Sequence, residues 1–136
     1  MMKNLLVDNN IVVDLLAKRE PFYRDAQELF TLADEKKVTL SISALTFVNT
    51  HYLLSKGLNA DDVRKVLIKF KILVKVLPLE DKILELALAS DFTDFEDAIQ
   101  YHTAMENNQE IIITRNKKDF ITAKLPVLTA KEYINR

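Results

Sequence analysis

Cysteine is absent from all 136 residues, which excludes disulfides, thiolate nucleophiles and thiolate-held zinc or iron–sulfur sites and fits a reducing compartment. A metal, if bound, would be held by oxygen. Glycine occurs once, at Gly57, and proline three times, so the chain has no Gly/Ser linker, repeat or low-complexity tract, and nothing marks a domain boundary. It therefore reads as one domain over residues 1–136, long enough for a real core and too short for two ordinary domains. No apolar run approaches the roughly 20 residues that cross a bilayer, and the first residues lack the basic and long apolar segments of a secretory signal. A cytoplasmic location without membrane contact is expected. A formal net charge of −1 gives no global pull toward nucleic acid, so any RNA contact must come from a local basic patch.

What the chain does have is short runs of Val, Ile and Leu alternating with longer amphipathic stretches. The runs predict strands at Lys3–Val7, Val38–Ile42, Ile72–Leu77, Glu110–Thr114 and, briefly, Val127–Leu128. Helices fill the gaps. Pro21 suits the first turn of a helix running to about Glu35, and two helices, Ala44–Ser55 and Asp61–Lys71, follow in succession, the second capped by Asn59. Thr129-Ala130-Lys131-Glu132 has capping-box spacing for a last short helix. Right-handed crossovers then make an α/β fold, a three-layer α/β/α domain around a mainly parallel sheet, the economical architecture.

Three apolar segments lead into acids. Asp8 closes Lys3–Val7, Asp119 follows Glu110–Thr114, and Asp97 lies in Asp91-Phe92-Thr93-Asp94-Phe95-Glu96-Asp97, with four acids in seven residues. Parallel sheets place their chemistry at the carboxyl ends of the strands, where Asp8 and Asp119 would meet. Crowded carboxylates repel unless a cation lies between them, and Mg²⁺ or Mn²⁺ prefers such oxygen ligands.

Each motif also has a plainer reading. Asp8 at a strand-to-helix turn can be only an N-cap, and acids collect in first helical turns because the helix dipole favours them. Asp94 and Asp97, three apart, would share one helical face while Phe92 and Phe95 pack inward on another. Asp14 would be solvated or support the site from behind. Thr46 would be the N-cap of its helix, with Asn49 pointing toward Asp8, although capping alone explains that segment equally well. Arg115, Lys117 and Lys118 could attract a phosphate backbone or be simply solvated, while Thr114 and Asn116 offer neutral oxygens. His51 and His102 lack triad partners and are assigned to helix surface or supporting roles; Tyr52, Leu53 and Leu54 to core or a subunit interface.

Taken in order, four segments resemble the PIN-domain family, and within it the VapC-like ribonuclease toxins of toxin–antitoxin pairs: Leu6-Val7-Asp8-Asn9-Asn10, Ser43-Ala44-Leu45-Thr46, Asp97-Ala98-Ile99 and Thr114-Arg115-Asn116-Lys117-Lys118-Asp119-Phe120. The resemblance spans essentially the whole chain. It implies a metal-dependent endoribonuclease in which Asp8 and Asp97 hold Mg²⁺ or Mn²⁺ and Asp119 and Asp94 complete the site. Asn10, Thr114 and Asn116 would position water or phosphate, and Arg115, Lys117 and Lys118 would steer the RNA. It also implies a homodimer bound by a small antitoxin. Two positions depart from the family pattern: Asn49 stands where many members carry Glu, and Asn116 where they carry Asp. Both substitutions keep an oxygen and lose a charge, which leaves open a catalytically weakened PIN fold that binds or scaffolds RNA. A phosphoacceptor receiver domain, also a small α/β protein, fails because the acids it needs after strand one are Asn9 and Asn10 here.

Overall fold

The computed structural model describes residues 2–136, and its five strands are β1 (Lys3–Val7), β2 (Val38–Ser43), β3 (Lys75–Leu77), β4 (Ile111–Ile113) and β5 (Val127–Leu128). They form one all-parallel sheet in the order β3-β2-β1-β4-β5. The helices are α1 (Asn9–Leu16), α2 (Tyr23–Asp34), α3 (Ala44–Leu54), α4 (Ala60–Leu73), α5 (Asp81–Leu88), α6 (Phe95–Glu106) and α7 (Ala130–Ile134). A 3-10 turn covers Lys117–Phe120. The sheet is covered on both faces, giving the expected three layers.

The period of two along each strand sorts the core. Leu5, Val7, Leu40, Ile42, Ile111 and Ile113 pack against α1, α2, Phe70 of α4 and Ala130 of α7. On the other face Leu6, Ile112 and Leu77 meet Tyr101 and Ala104 of α6 and Phe120 of the 3-10 turn. Leu5, Leu6 and Val7 are all fully buried, each stabilising the fold by roughly 1.5–3 kcal/mol relative to exposure. A strand buried on both sides needs a continuous apolar run, and β1 and β4 supply one.

The sheet order fixes where a ligand can bind. From β1 the chain winds outward through β2 to β3, whereas β4 and β5 lie on the other side of β1. The strand order therefore reverses between β1 and β4, and the crevice at that reversal lies beyond their carboxyl ends. Asp8 and Thr114 are the first residues past those ends, joined by the Asp8 N–H donating to the Ile113 carbonyl at 2.9 Å.

Several local expectations shift. The apolar period Val63, Leu67, Phe70 carries α4 on to Leu73, so β3 starts at Lys75 rather than Ile72, and Ile72 sits exposed in the last helical turn. Pro21 lies in a turn closed by the Phe22 N–H on the Arg19 carbonyl at 3.0 Å, which delays α2 to Tyr23. Ser43, with extended backbone, caps α3 by accepting from the Thr46 N–H at 3.0 Å, so Thr46 is a buried helical residue and not the cap. The Asn59 cap and the Thr129/Glu132 capping box form as expected. Phe92 packs on Tyr101 and Phe120, but Phe95 is left exposed at the start of α6.

With one glycine in the sequence, helices must end on other residues. Among the described residues Lys18, Lys36 and Asn108 take positive φ, of 52°, 61° and 55°. Each closes a helix by the same pair of backbone bonds; in α2 the Lys36 N–H reaches the Ala33 carbonyl and the Lys37 N–H the Leu32 carbonyl, at 3.0 and 2.9 Å.

Candidate metal centre

The crevice is an open cleft of about 420 Å³, and five of the side chains lining it are carboxylates: Asp8, Asp94, Glu96, Asp97 and Asp119. Among the described residues no Lys, Arg or His lines it. Asp8 is buried and held on several sides. Its Oδ2 accepts from Thr114 Oγ1 at 2.8 Å and Asn10 Nδ2 at 3.4 Å, and its Oδ1 from the Asn9 N–H at 2.8 Å and Gln100 Nε2 at 3.4 Å. It is the N-cap of α1 as well as a cleft carboxylate, so the two readings of its sequence position coincide. Burial pushes the Asp8 carboxyl up; the Thr114 and Asn9 hydrogen bonds oppose that, and the charges of Asp119 and Asp94 add to it.

Asp94 lies just outside α6 as its N-cap, accepting from the Asp97 N–H at 3.0 Å, and this places the two carboxylates together without the shared helical face expected for them. Asp97 is half-buried. Its carboxyl is pushed up to about 7 by burial and then by the surrounding charges of Asp94, Asp8, Asp119 and Glu96. Asn49 and Asn116 also line the cleft. Asn49 Nδ2 donates to Glu96 Oε1 at 2.8 Å, and the Asn116 N–H donates to Thr114 Oγ1 at 3.1 Å. Asn10 ties α1 to the loop after β4, donating to Thr114 Oγ1 at 3.3 Å and accepting from the Arg115 N–H at 3.3 Å.

Two of the three basic residues are engaged elsewhere. Arg115 makes a bidentate pair with Asp14, Nε to Oδ2 at 2.7 Å and Nη2 to Oδ1 at 3.2 Å, and stacks 3.9 Å from the Phe22 ring centroid. Asp14 is fully buried, so it is not a solvated acid; Arg19 also lies 3.4 Å from it. Lys117 bonds both carboxylate oxygens of Glu132 at 3.0 Å. Lys118 is exposed and borders a smaller depression beside Asp94, Asp97 and Asp119. His51 is exposed and His102 half-buried, and neither borders the cleft. Leu54 joins the core, whereas Tyr52 is exposed at the cleft with the Lys56 ammonium 4.9 Å from its ring centroid.

Gln100 escaped the sequence reading, and Glu96 was counted in the acidic cluster without a role of its own. Gln100 is buried and hydrogen-bonds both Asp8 and Thr46. Its spacing of three from Asp97 on one helix was the available signal. Polar residues in helices are ordinarily solvated, so that signal carried no weight until α6 was placed against β1.

The donor set suits a hard divalent cation: oxygen throughout, several negative charges, and no side-chain cation among them. Among the described residues no three carboxylate, imidazole or thiol groups gather closely enough to hold an ion by themselves. Mg²⁺ does not require such a cage, because it commonly takes one or two carboxylates and completes its shell with water and substrate phosphate. The four carboxylates expected from the sequence to serve a cation, Asp8, Asp94, Asp97 and Asp119, all line the cleft.

The PIN domain family profile matches residues 4–118. The chain belongs to the PIN domain family. Its sequence is similar to Ribonuclease VapC1 of Aquifex aeolicus, with 27% identity over 142 aligned positions that cover 98% of this chain and 95% of the relative. Among solved structures, its PIN fold is similar to a chain of a toxin–antitoxin complex from Klebsiella pneumoniae, with a TM-score of 0.70, 27% identity and coverage of 93% and 97%. It also superposes on a chain of VapBC2 from Rickettsia felis bound to a promoter DNA fragment, with a TM-score of 0.67, 20% identity and coverage of 92% and 96%. At that identity the second likeness speaks to the PIN fold alone.

Proposed function

We propose that this chain is an endoribonuclease and the toxin of a toxin–antitoxin pair, built as one PIN domain over residues 1–136, which cuts RNA phosphodiesters with Mg²⁺ or Mn²⁺ at the acidic cleft. The observation that carries this is the set of five carboxylates that line the cleft at the sheet's reversal point in a chain similar along nearly its whole length to a ribonuclease.

Asp8 and Asp97 would hold the cation, with Asp94 and Asp119 shaping the field around it. When bound, the cation supplies Lewis-acid polarisation of the scissile phosphate and lowers the pKa of an attacking water. The chain's own residues do the positioning. Thr114, Asn9, Asn10 and Gln100 fix both oxygens of Asp8, so that its carboxylate need not reorganise when substrate arrives. Asp97, whose carboxyl burial and its acidic neighbours push up to about 7 in the metal-free cleft, would be held in its charged, ligating form by a cation there. Asn116 and Thr114 offer uncharged polar groups to a phosphate, which an additional carboxylate would repel. RNA approaches against the field of the cleft, and Lys118 is the cation best placed to offset it, with Arg115 and Lys117 contributing positive charge from their ion pairs.

A small antitoxin is the expected protein partner, since the similar Klebsiella chain comes from a toxin–antitoxin complex. No helix among the described residues is long and apolar enough to cross a membrane.

The test is cleavage of structured RNAs by purified protein with Mg²⁺, Mn²⁺ or EDTA, alongside growth arrest on expression. Asp8→Asn and Asp97→Asn are expected to cost more than the roughly 10–100-fold typical of losing an outer partner of a metal ligand, with the fold intact. Cleavage that persists in EDTA would refute the metal reading. RNA binding without cleavage in any metal would favour the second reading, a weakened PIN fold that binds RNA, which the amides at Asn49 and Asn116 make specific.

A further inference from the structure

Glu96 occupies the first turn of α6 between Asp94 and Asp97. Its side chain is exposed and long enough to swing into water, away from the like charges beside it. It does not do so. Glu96 Oε1 accepts a 2.8 Å hydrogen bond from Asn49 Nδ2 on α3, a residue 47 positions earlier in the chain, and both residues line the cleft. The bond keeps a fifth negative charge at the cleft, where it adds to the burden on Asp97.

We infer that Glu96 is a functional carboxylate of the metal cleft and that Asn49 is the residue that positions it. An amide is suited to this task, because it donates to the carboxylate without neutralising it, whereas a Lys or Arg at position 49 would cancel the charge the cleft holds for a cation. The inference rests on the reading of the cleft as a cation site. It changes the meaning of Asn49: the helix that carries it contributes no charge of its own but aims one supplied by α6.

The test is the Mn²⁺ dissociation constant of metal-stripped protein, measured by calorimetry without RNA. Glu96→Gln is expected to weaken binding by about tenfold, and Asn49→Ala by less, since the carboxylate then remains but is no longer held. The N49A/E96Q double variant should match Glu96→Gln alone, because Asn49 acts through Glu96. In N49E/E96Q the amide and the carboxylate exchange helices while keeping one of each, and affinity should recover toward that of the native protein. Native affinity in Glu96→Gln, or fully additive losses in the double variant, would overturn the inference. Asp8→Asn in parallel separates the two levels. If it abolishes Mn²⁺ binding while Glu96→Gln has no effect, the cation site stands and only the role of Glu96 falls. If neither substitution changes binding, the cation site falls and this inference with it.

Discussion

Asp97 carries a cost in the metal-free protein that a cation bound as proposed would offset. Its carboxyl titrates near 7 in the fold against an ordinary 3.8. Between those values the folded chain binds more protons than the unfolded chain, so stability falls as pH rises; the penalty is absent below about pH 4 and complete above about pH 7. For a fully buried group such a shift would correspond to roughly 4 kcal/mol, and water at this half-buried carboxyl screens it to about 1–2 kcal/mol. Metal-free protein is therefore expected to lose melting temperature from pH 4 to 7 by an amount that Asp97→Asn reduces, measured by calorimetric scans across that range. Saturating Mn²⁺ should flatten the same curve. A pH dependence unchanged in Asp97→Asn would locate the penalty on other groups.

The Asp14–Arg115 pair sits at the same scale but has a different job. It is a bidentate contact between a buried carboxylate in α1 and the residue that follows Thr114, and Phe22 covers the guanidinium. Removing Arg115 leaves the buried Asp14 with Arg19, 3.4 Å away, as its remaining counter-charge, so Arg115→Ala is expected to cost about 1–3 kcal/mol of unfolding free energy. Lys117→Ala, which breaks an exposed pair with Glu132, should leave stability close to that of the native protein. Urea denaturation of the two variants distinguishes an arginine held for structure from one free to meet RNA.

Among the elements, the strands and their carboxyl-terminal acids were legible because a doubly buried parallel strand leaves an unbroken apolar run and the chain must turn where that run stops. Asp8 and Asp119 were found on that basis and Asp97 from the dense acidic cluster at 91–97, and all three line the cleft. Boundaries were less legible where two signals overlap: Ile72 is as good a strand residue as a helix residue, and only the continued packing of α4 decides it. Phe95 misled for another reason. An aromatic in a helix's first turn packs inward only if the helix enters at the right angle, and Asp94 as cap turns Phe95 outward. Gln100 had only its spacing from Asp97 to betray it and Glu96 only its place in the acidic cluster, since their partners Thr46, Asp8 and Asn49 lie on other elements.

The helix ends offer an elemental test of the scarcity of glycine. Lys36 holds a left-handed conformation that costs an L-residue about 1–2 kcal/mol, part of which glycine would return as lost unfolded-state constraint. Lys36→Gly is expected to stabilise the protein by about 0.5–1 kcal/mol, read as a higher denaturation midpoint at unchanged m-value. A fall in the midpoint would mean that the lysine side chain stabilises the fold in some other way.

For the whole molecule, the outer surfaces of α3 and α4 are the feature left without a role inside one chain. Val48, Ile68 and Ile72 are 65%, 67% and 82% exposed, more apolar surface than the sheet needs from these helices. A second copy is the expected cover, and the protein should run as a dimer by light scattering at micromolar concentration, with Ile68→Asp shifting it toward monomer. A native protein that stays monomeric at that concentration would leave the face for a different partner.

The sheet order also sets a sequence of events during synthesis. Asp8 leaves the ribosome early and Asp119 late, and between them β4 must insert beside β1, pairing Leu5 with Ile111 across most of the chain's length. Pairings so distant in sequence close late, because the loop they tie off must be ordered first. A nascent chain can complete α1 to α4 around β1 and β2 and still have no cleft, since Thr114 is not yet there to fix Asp8 and α6 has not brought Asp97. The nuclease proposed for this cleft is thereby withheld until α6 and the residues after β4 have joined β1, so that the last steps of folding are what switch it on.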